Sequence, residues 1–409
     1  MNRHRWLDAY PPGVPATIDP DRYTSLNELL AHSFERYADR VALENFGVSM
    51  SYAELDLASR SFAAFLQSVG GLTRGDRVAV MLPNVMQYPV VVCGTLRAGL
   101  TVVNVNPLYK PRELEHQLRD SGARAIIVLE NFASTVAAVV EHVPLETVIV
   151  TALGDHFPPL RRFATNLAVR YVKRLVKPWH LPGALRYLET LRIGASRSFR
   201  APTVDAEDVA FLQYTGGTTG TAKGAMLTHR NLVSNVLQSV EWAKPALDYE
   251  GERAATPLPL YHIFSLTANL FCFLELGGTI LLITNPRDLR SLIKELSRAP
   301  INYLTGVNTL FNVLLESPKL ERIDFSQLKI TMGGGMAVQR SVAEAWQRVT
   351  GKPIVQGYGL TETSPIVCAN PLISKTFSES VGLPLPSTEV SIRDEDGKPL
   401  GIDAVGEIC

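Results

Sequence analysis

Apolar and polar positions follow two recurring rhythms along this chain. Residues 26–37 repeat apolar side chains at helical spacing, and 41–50 reads as a hairpin turning near Asn45-Phe46-Gly47. Ser51 and Glu54 stand at capping-box spacing ahead of the next helix. Residues 77–82, 101–105, 123–129 and 147–151 then read as short apolar strands separated by helical segments. That alternation predicts a mostly parallel sheet covered on both faces. A second series starts near Val209 and includes 253–257, 279–284, 303–306 and 329–332. From Phe377 the texture changes: 381–384, 389–393 and the acidic turn 394–397 predict short antiparallel strands, the start of a small barrel. The expected fold is α/β. Two packed, mostly parallel α/β subdomains, about 1–205 and 206–375, precede the β-barrel portion at 376–409.

One segment within this frame carries chemistry. After the apolar run 209–212 comes Tyr214-Thr215-Gly216-Gly217-Thr218-Thr219-Gly220-Thr221-Ala222-Lys223-Gly224. Glycines let backbone N–H groups approach a ligand, the threonine hydroxyls add donors, and the lysine adds a positive charge. Together they suit the oxygens of a polyphosphate. The spacing is not that of a Walker A loop, because Ala222 precedes Lys223 and Gly224 follows it. A plain surface hairpin is the rival reading.

The loop resembles the phosphate loop of the adenylate-forming superfamily of acyl-CoA synthetases, luciferases and peptide-synthetase adenylation domains. Tyr261-His262-Ile263-Phe264-Ser265 and Gly357-Tyr358-Gly359-Leu360-Thr361-Glu362 follow in the family's order. The resemblance runs from about Tyr23 to the last residue and is nearest to bacterial long-chain fatty acid–CoA ligases. It implies a two-stage reaction. A fatty acid carboxylate attacks the α-phosphate of ATP and releases pyrophosphate, and the thiol of coenzyme A then displaces AMP. The nucleophile belongs to the substrate, so no Ser-His-Asp constellation is required. The protein has to neutralise charge and align the reactants.

By that resemblance Tyr214, Thr215, Gly216, Gly217, Thr218, Thr219, Gly220, Thr221 and Lys223 form the phosphate cradle, and Thr215 and Glu362 hold Mg²⁺. Tyr358, between Gly357 and Gly359, stacks on adenine, and Thr361 donates to the α-phosphate. Gly333, Gly334 and Gly335 let the backbone approach adenine and the acyl carbonyl. His262 positions the substrate carboxylate, and Gly306 and Val307 border the acyl channel. Each has a structural rival: a surface carboxylate for Glu362, core packing for Tyr358 and for 303–312, a simple turn for the triple glycine, and a core histidine for His262. Tyr261-His262 stand where amino-acid-activating domains usually carry an Asp, which disfavours amino acids as substrates. Aryl or medium-chain acids, and a non-catalytic acyl or nucleotide module, are the other functional readings. The family's ribose-binding Asp and mobile lid with its catalytic lysine are expected to lie outside these residues, which makes the fragment binding-competent and largely inactive.

Composition changes little of this. Lysine plus arginine number 40 and aspartate plus glutamate 40, so no net charge draws nucleic acid, and base-reading motifs are absent. Four scattered cysteines lack metal-ligand spacing, and the three among apolar neighbours read as small buried side chains, as in a reducing cytosol. No signal core or spanning run of apolar residues is present, so a cytoplasmic location is expected. One local asymmetry stands out: 161–200 holds ten Lys/Arg against Glu189 alone, interleaved with Leu167, Tyr171, Val172, Leu175 and Trp179. It reads equally as a solvated face or as a peripheral contact with the anionic inner face of the cytoplasmic membrane. A homodimer is left open.

Overall fold

The computed structural model describes residues 5–215, 222–247 and 251–409. Two sheets organise them. The first has seven strands in the order Leu185–Arg186, Thr147–Thr151, Ala125–Leu129, Arg77–Met81, Thr101–Asn104, Val209–Thr215 and Lys223–Thr228. All are parallel except the last pair, which is an antiparallel hairpin. The second has nine strands, ordered Leu383–Pro384, Ile366–Ala369, Ile354–Gly359, Ile330–Gly333, Tyr303–Gly306, Arg253–Thr256, Thr279–Leu282, Val41–Asn45 and Val48–Ser51. Its middle is parallel and its two ends are antiparallel.

Period-two alternation builds the layers. In Arg77–Met81, Val78 and Val80 face a core shared by both sheets, while Ala79 and Met81 face the helix Pro111–Ser121 on the outside. The shared core is filled by Leu26–Arg36, Tyr52–Ser68, Gln87–Arg97 and His229–Ala243. A third cluster, with Trp346 and Phe311 at its centre, covers the outer face of the second sheet. The capping box forms as the spacing predicts: the Glu54 carboxylate accepts from Ser51 N at 2.7 Å and Glu54 N donates to Ser51 Oγ at 3.1 Å.

Sheet membership does not divide at residues 205/206. Val209–Thr215 lies beside Thr101–Asn104 with Phe211 opposite Val102, so the strand expected to open the second series completes the first sheet. Conversely, the hairpin Val41–Ser51 belongs to the second sheet, where Leu43 pairs with Ile280. Apolar periodicity identifies a buried strand but carries no information about which sheet receives it. Beyond Phe377, Leu383–Pro384 extends the large sheet, and Ile392–Arg393 pairs with Glu407–Ile408 as a small antiparallel sheet. Cys93, Cys272 and Cys368 are buried free thiols and Cys409 is exposed.

Candidate functional site

The parallel strands of the second sheet bring glycines to their carboxyl ends: Gly306, Gly333 and Gly359 terminate three neighbouring strands. Strand order reverses beside them. Arg253–Thr256 sends the chain to Thr279–Leu282 on one side, and Tyr303–Gly306 then returns on the other. A crevice outside the carboxyl ends at such a switch is where open α/β sheets bind ligands.

Contacts between distant segments converge there. Gln213, in the hairpin formed by Val209–Thr215 and Lys223–Thr228, donates to the Tyr261 carbonyl at 2.6 Å. The Phe264 ring packs so closely on Gly334 that a Cβ there would sit 2.9 Å from it. Gly334 N donates to Gly306 O at 3.3 Å. Gly335 adopts φ +76°, a conformation that favours glycine, and only the Val307 side chain, at 3.9 Å, is near its free face. Thr267 Oγ1 donates at 2.9 Å to the carbonyl of Ser364, which ends the turn Thr361–Thr363. The strand Lys223–Thr228 packs directly on that same turn.

Thr215 and Lys223 are cross-strand partners, so the hairpin ends the loop with a hydroxyl opposite an ammonium. Lys223 is exposed and makes no ion pair with a described residue. Gly216, Gly217, Thr218, Thr219, Gly220 and Thr221 lie outside the described residues. The Tyr214 ring packs over Gly224 and its hydroxyl donates to Asp120 on helix Pro111–Ser121. Burial and that carboxylate raise the phenol well above its usual range, which keeps it a donor. Its side chain anchors the hairpin.

Tyr358 is half-buried and Glu362 exposed. Both line a cleft of about 440 Å³ that also takes in Arg230, Asn231 and Ser234 of the helix following the hairpin. Glu362 makes no ion pair with a described residue. A carboxylate without an ion pair, on a turn packed against Lys223–Thr228, is a donor that would fit Mg²⁺, which takes few protein ligands and keeps its waters. Among the described residues, no cluster of three His, Cys, Asp or Glu forms an all-protein metal site.

His262 reaches solvent on one side, while protein crowded on the other lowers its pKa by desolvation. Its Nδ1 accepts from Phe264 N at 3.4 Å and caps the short helix Ile263–Ser265. An acceptor at Nδ1 assigns the hydrogen of the neutral ring to Nε2, making that atom a donor. A neutral donor suits holding a carboxylate better than removing a proton.

Sequence reasoning missed the supports. Asn84, 3% exposed, donates to Thr256 O and Leu258 O and accepts from Leu260 N, each at 2.8 Å. Tyr88 Oη bonds Asn104 Oδ1 and Leu260 O, also at 2.8 Å. Asn104 Nδ2 donates to Gln213 Oε1 at 3.0 Å. This buried chain ties the segment 256–262 to the strand Val209–Thr215. The available signal was polar residues interrupting otherwise apolar runs.

The expected acyl stretch also divides. Tyr303–Gly306 is a strand and Asn308–Leu315 a helix, with Gly306 and Val307 at the strand end. A separate, narrow apolar cavity of about 40 Å³ lies behind Met332, lined by Trp242, Ala268, Phe273, Tyr303 and Leu372.

Known proteins fit this geometry. The chain is 52% identical over 404 residues to the long-chain-fatty-acid–CoA ligase of Salmonella typhimurium, covering 99% of this chain and 72% of that protein. The crystal structure of a long-chain-fatty-acid-CoA ligase from Archaeoglobus fulgidus superposes with a TM-score of 0.80 at 26% identity, covering 98% of this chain and 76% of that one. An anthranilate CoA ligase solved with anthranoyl-AMP shares the fold, with a TM-score of 0.82 at 21% identity over 96% of this chain and 71% of its own. The family model for AMP-binding enzymes matches residues 30–409, and the chain belongs to that family.

Proposed function

We propose that this chain is the ATP- and acyl-binding part of a long-chain fatty acid–CoA ligase, an AMP-forming acid–thiol ligase. The observation that carries the reading is the packing of Lys223–Thr228 against Thr361–Thr363, which puts the lysine-bearing hairpin and Glu362 at one place. Identity to the Salmonella ligase supports the substrate class.

In this reading the fatty acid carboxylate attacks the α-phosphorus of ATP, the bond to the β-phosphate oxygen breaks, and pyrophosphate departs. Coenzyme A thiolate then attacks the acyl carbonyl and AMP leaves. Lys223 and Thr215 hold the β- and γ-phosphates, and Thr361 donates to the α-phosphate. Tyr358 stacks on adenine, and His262 Nε2–H orients the carboxylate. Glu362 and the Thr215 hydroxyl would hold Mg²⁺, which neutralises phosphate charge when bound. Gly335, with its face open beside Val307, leaves room for the acyl carbonyl.

The long acyl tail is assigned to the apolar cavity behind Met332. At about 40 Å³ it has room for little more than one water-sized group, so side chains such as Ala268 and Trp242 must move apart to admit a chain. ATP–pyrophosphate exchange with saturated acids of increasing length tests this. Ala268→Phe is expected to depress exchange with long acids at least tenfold more than with short ones. Equal loss at every length would refute the cavity as the acyl site, and failure of the unmodified protein to bind ATP in calorimetry would refute the ligase reading.

A further inference from the structure

We propose that the helix Pro159–Leu167 and its continuation to Leu175 form a docking face for an anionic membrane surface. This segment is amphipathic in the reverse sense to a helix of a soluble core. Its polar groups point inward. Asn166 Oδ1 accepts from Gly154 N at 2.8 Å, Arg170 pairs with the buried Glu130, and Arg161 donates to the Phe46 carbonyl. Its apolar groups point out: Leu160 is 88% exposed, Phe163 70% and Val172 76%, with Leu167, Tyr171 and Leu175 exposed beside them. Positions 160, 163, 167 and 171 recur at helical spacing and form one stripe. No residue of Pro159–Leu167 is buried. An apolar stripe of this size facing water marks an interaction surface.

Charge identifies the partner. Lys173, Arg174 and Lys177 follow the stripe, are exposed, and make no ion pair with a described residue. No acidic residue occurs between Asp155 and Glu189. The remaining arginines of 161–200 are placed differently: Arg186 covers the Trp179 ring, and the helix Tyr187–Ala195 packs on Tyr52–Ser68. The cationic surface is therefore narrower than the sequence stretch and borders the apolar stripe. A second copy of the chain would bring like charges together, whereas anionic headgroups neutralise them while the stripe enters the acyl boundary. Among the described residues no helix is long and apolar enough to cross a membrane, so the contact is peripheral.

Co-sedimentation of the protein with phosphatidylcholine vesicles, with and without phosphatidylglycerol, tests the assignment. Binding is expected only with phosphatidylglycerol and should fall as salt rises. Phe163→Asp should lower partitioning on the order of tenfold or more. Reversing Lys173, Arg174 and Lys177 to glutamate should lower it on the order of a hundredfold. These side chains are exposed, so the unfolding midpoints should not move. If Phe163→Asp does unfold the protein, Phe163→Trp supplies a second readout: brominated lipid should quench the added fluorescence. Failure of the unmodified protein to bind phosphatidylglycerol vesicles at low salt, undiminished binding by both variants, or no quenching would overturn the proposal. So would a dimer that Phe163→Asp splits while vesicles are ignored, which would make the stripe a self-association surface.

Discussion

Truncating Asn84 to alanine tests whether the segment leading to His262 is held by one buried amide. The side chain makes three hydrogen bonds at 2.8 Å, and their loss is not equal. Thr256 O keeps a bond from Ile283 N at 3.3 Å, and Leu258 O keeps one from Ser265 Oγ at 2.9 Å. Leu260 N has no second acceptor among the described residues and lies at a fully buried position. An orphaned buried N–H costs about 1–3 kcal/mol, and each of the two other lost bonds about 0.5–1.5 kcal/mol. Asn84→Ala should therefore lower unfolding free energy by about 2–6 kcal/mol, read by urea denaturation followed by tryptophan fluorescence. Asn84→Asp keeps the acceptor for Leu260 but turns an oxygen toward two carbonyls, so it should be no better than alanine despite matching asparagine in volume. Well below the transition, ATP affinity should hold while acid affinity falls, since Tyr358 stands on a strand and Glu362 on a turn that Asn84 does not touch. A loss under 1 kcal/mol for alanine, or a neutral aspartate variant, would refute the account.

Other groups give sharper electrostatic tests. Glu362→Gln keeps the side-chain size and removes the charge, so Mg²⁺ should cease to strengthen ATP binding in calorimetry. Adenylate formation should fall on the order of 10²–10³-fold, and an unchanged Mg²⁺ response would remove Glu362 from the metal set. Burial lowers His156 and His229 to about 4. Unfolded imidazoles take up protons near 6.5, so between those values the unfolded state binds more protons and stability falls as pH drops. From pH 8 to about 5.5 each should remove about 1–2 kcal/mol, and a denaturation midpoint constant across that window would contradict the burial.

Local signals were legible because they are local. The capping box at Ser51 and the hairpin read over 41–50 each depend on neighbours a few residues away, and each stands where its spacing put it. What the sequence hid is a matter of sides. Apolar spacing places a stripe on the helix Pro159–Leu167 but does not say whether a core lies beneath it, and here none does. The same blindness hid the fate of 209–228, which reads as the start of a second unit and closes the first sheet instead.

That placement has a mechanical consequence for the site. Thr215 and Lys223 are fixed by the first sheet, while Gly306, Gly333 and Tyr358 are fixed by the second. Shared core packing alone would allow small slips between the two sheets, because apolar contacts carry little directionality. Directional bonds limit such slips: Gln213 to Tyr261 and Asn84 to Thr256, Leu258 and Leu260 are short and join segments of one sheet to segments of the other. A one-ångström error in phosphate alignment is costly when catalysis depends on positioning. The polar interruptions in those apolar runs thus have a physical purpose. They set the register of two halves whose separate motifs mean nothing chemically until they meet.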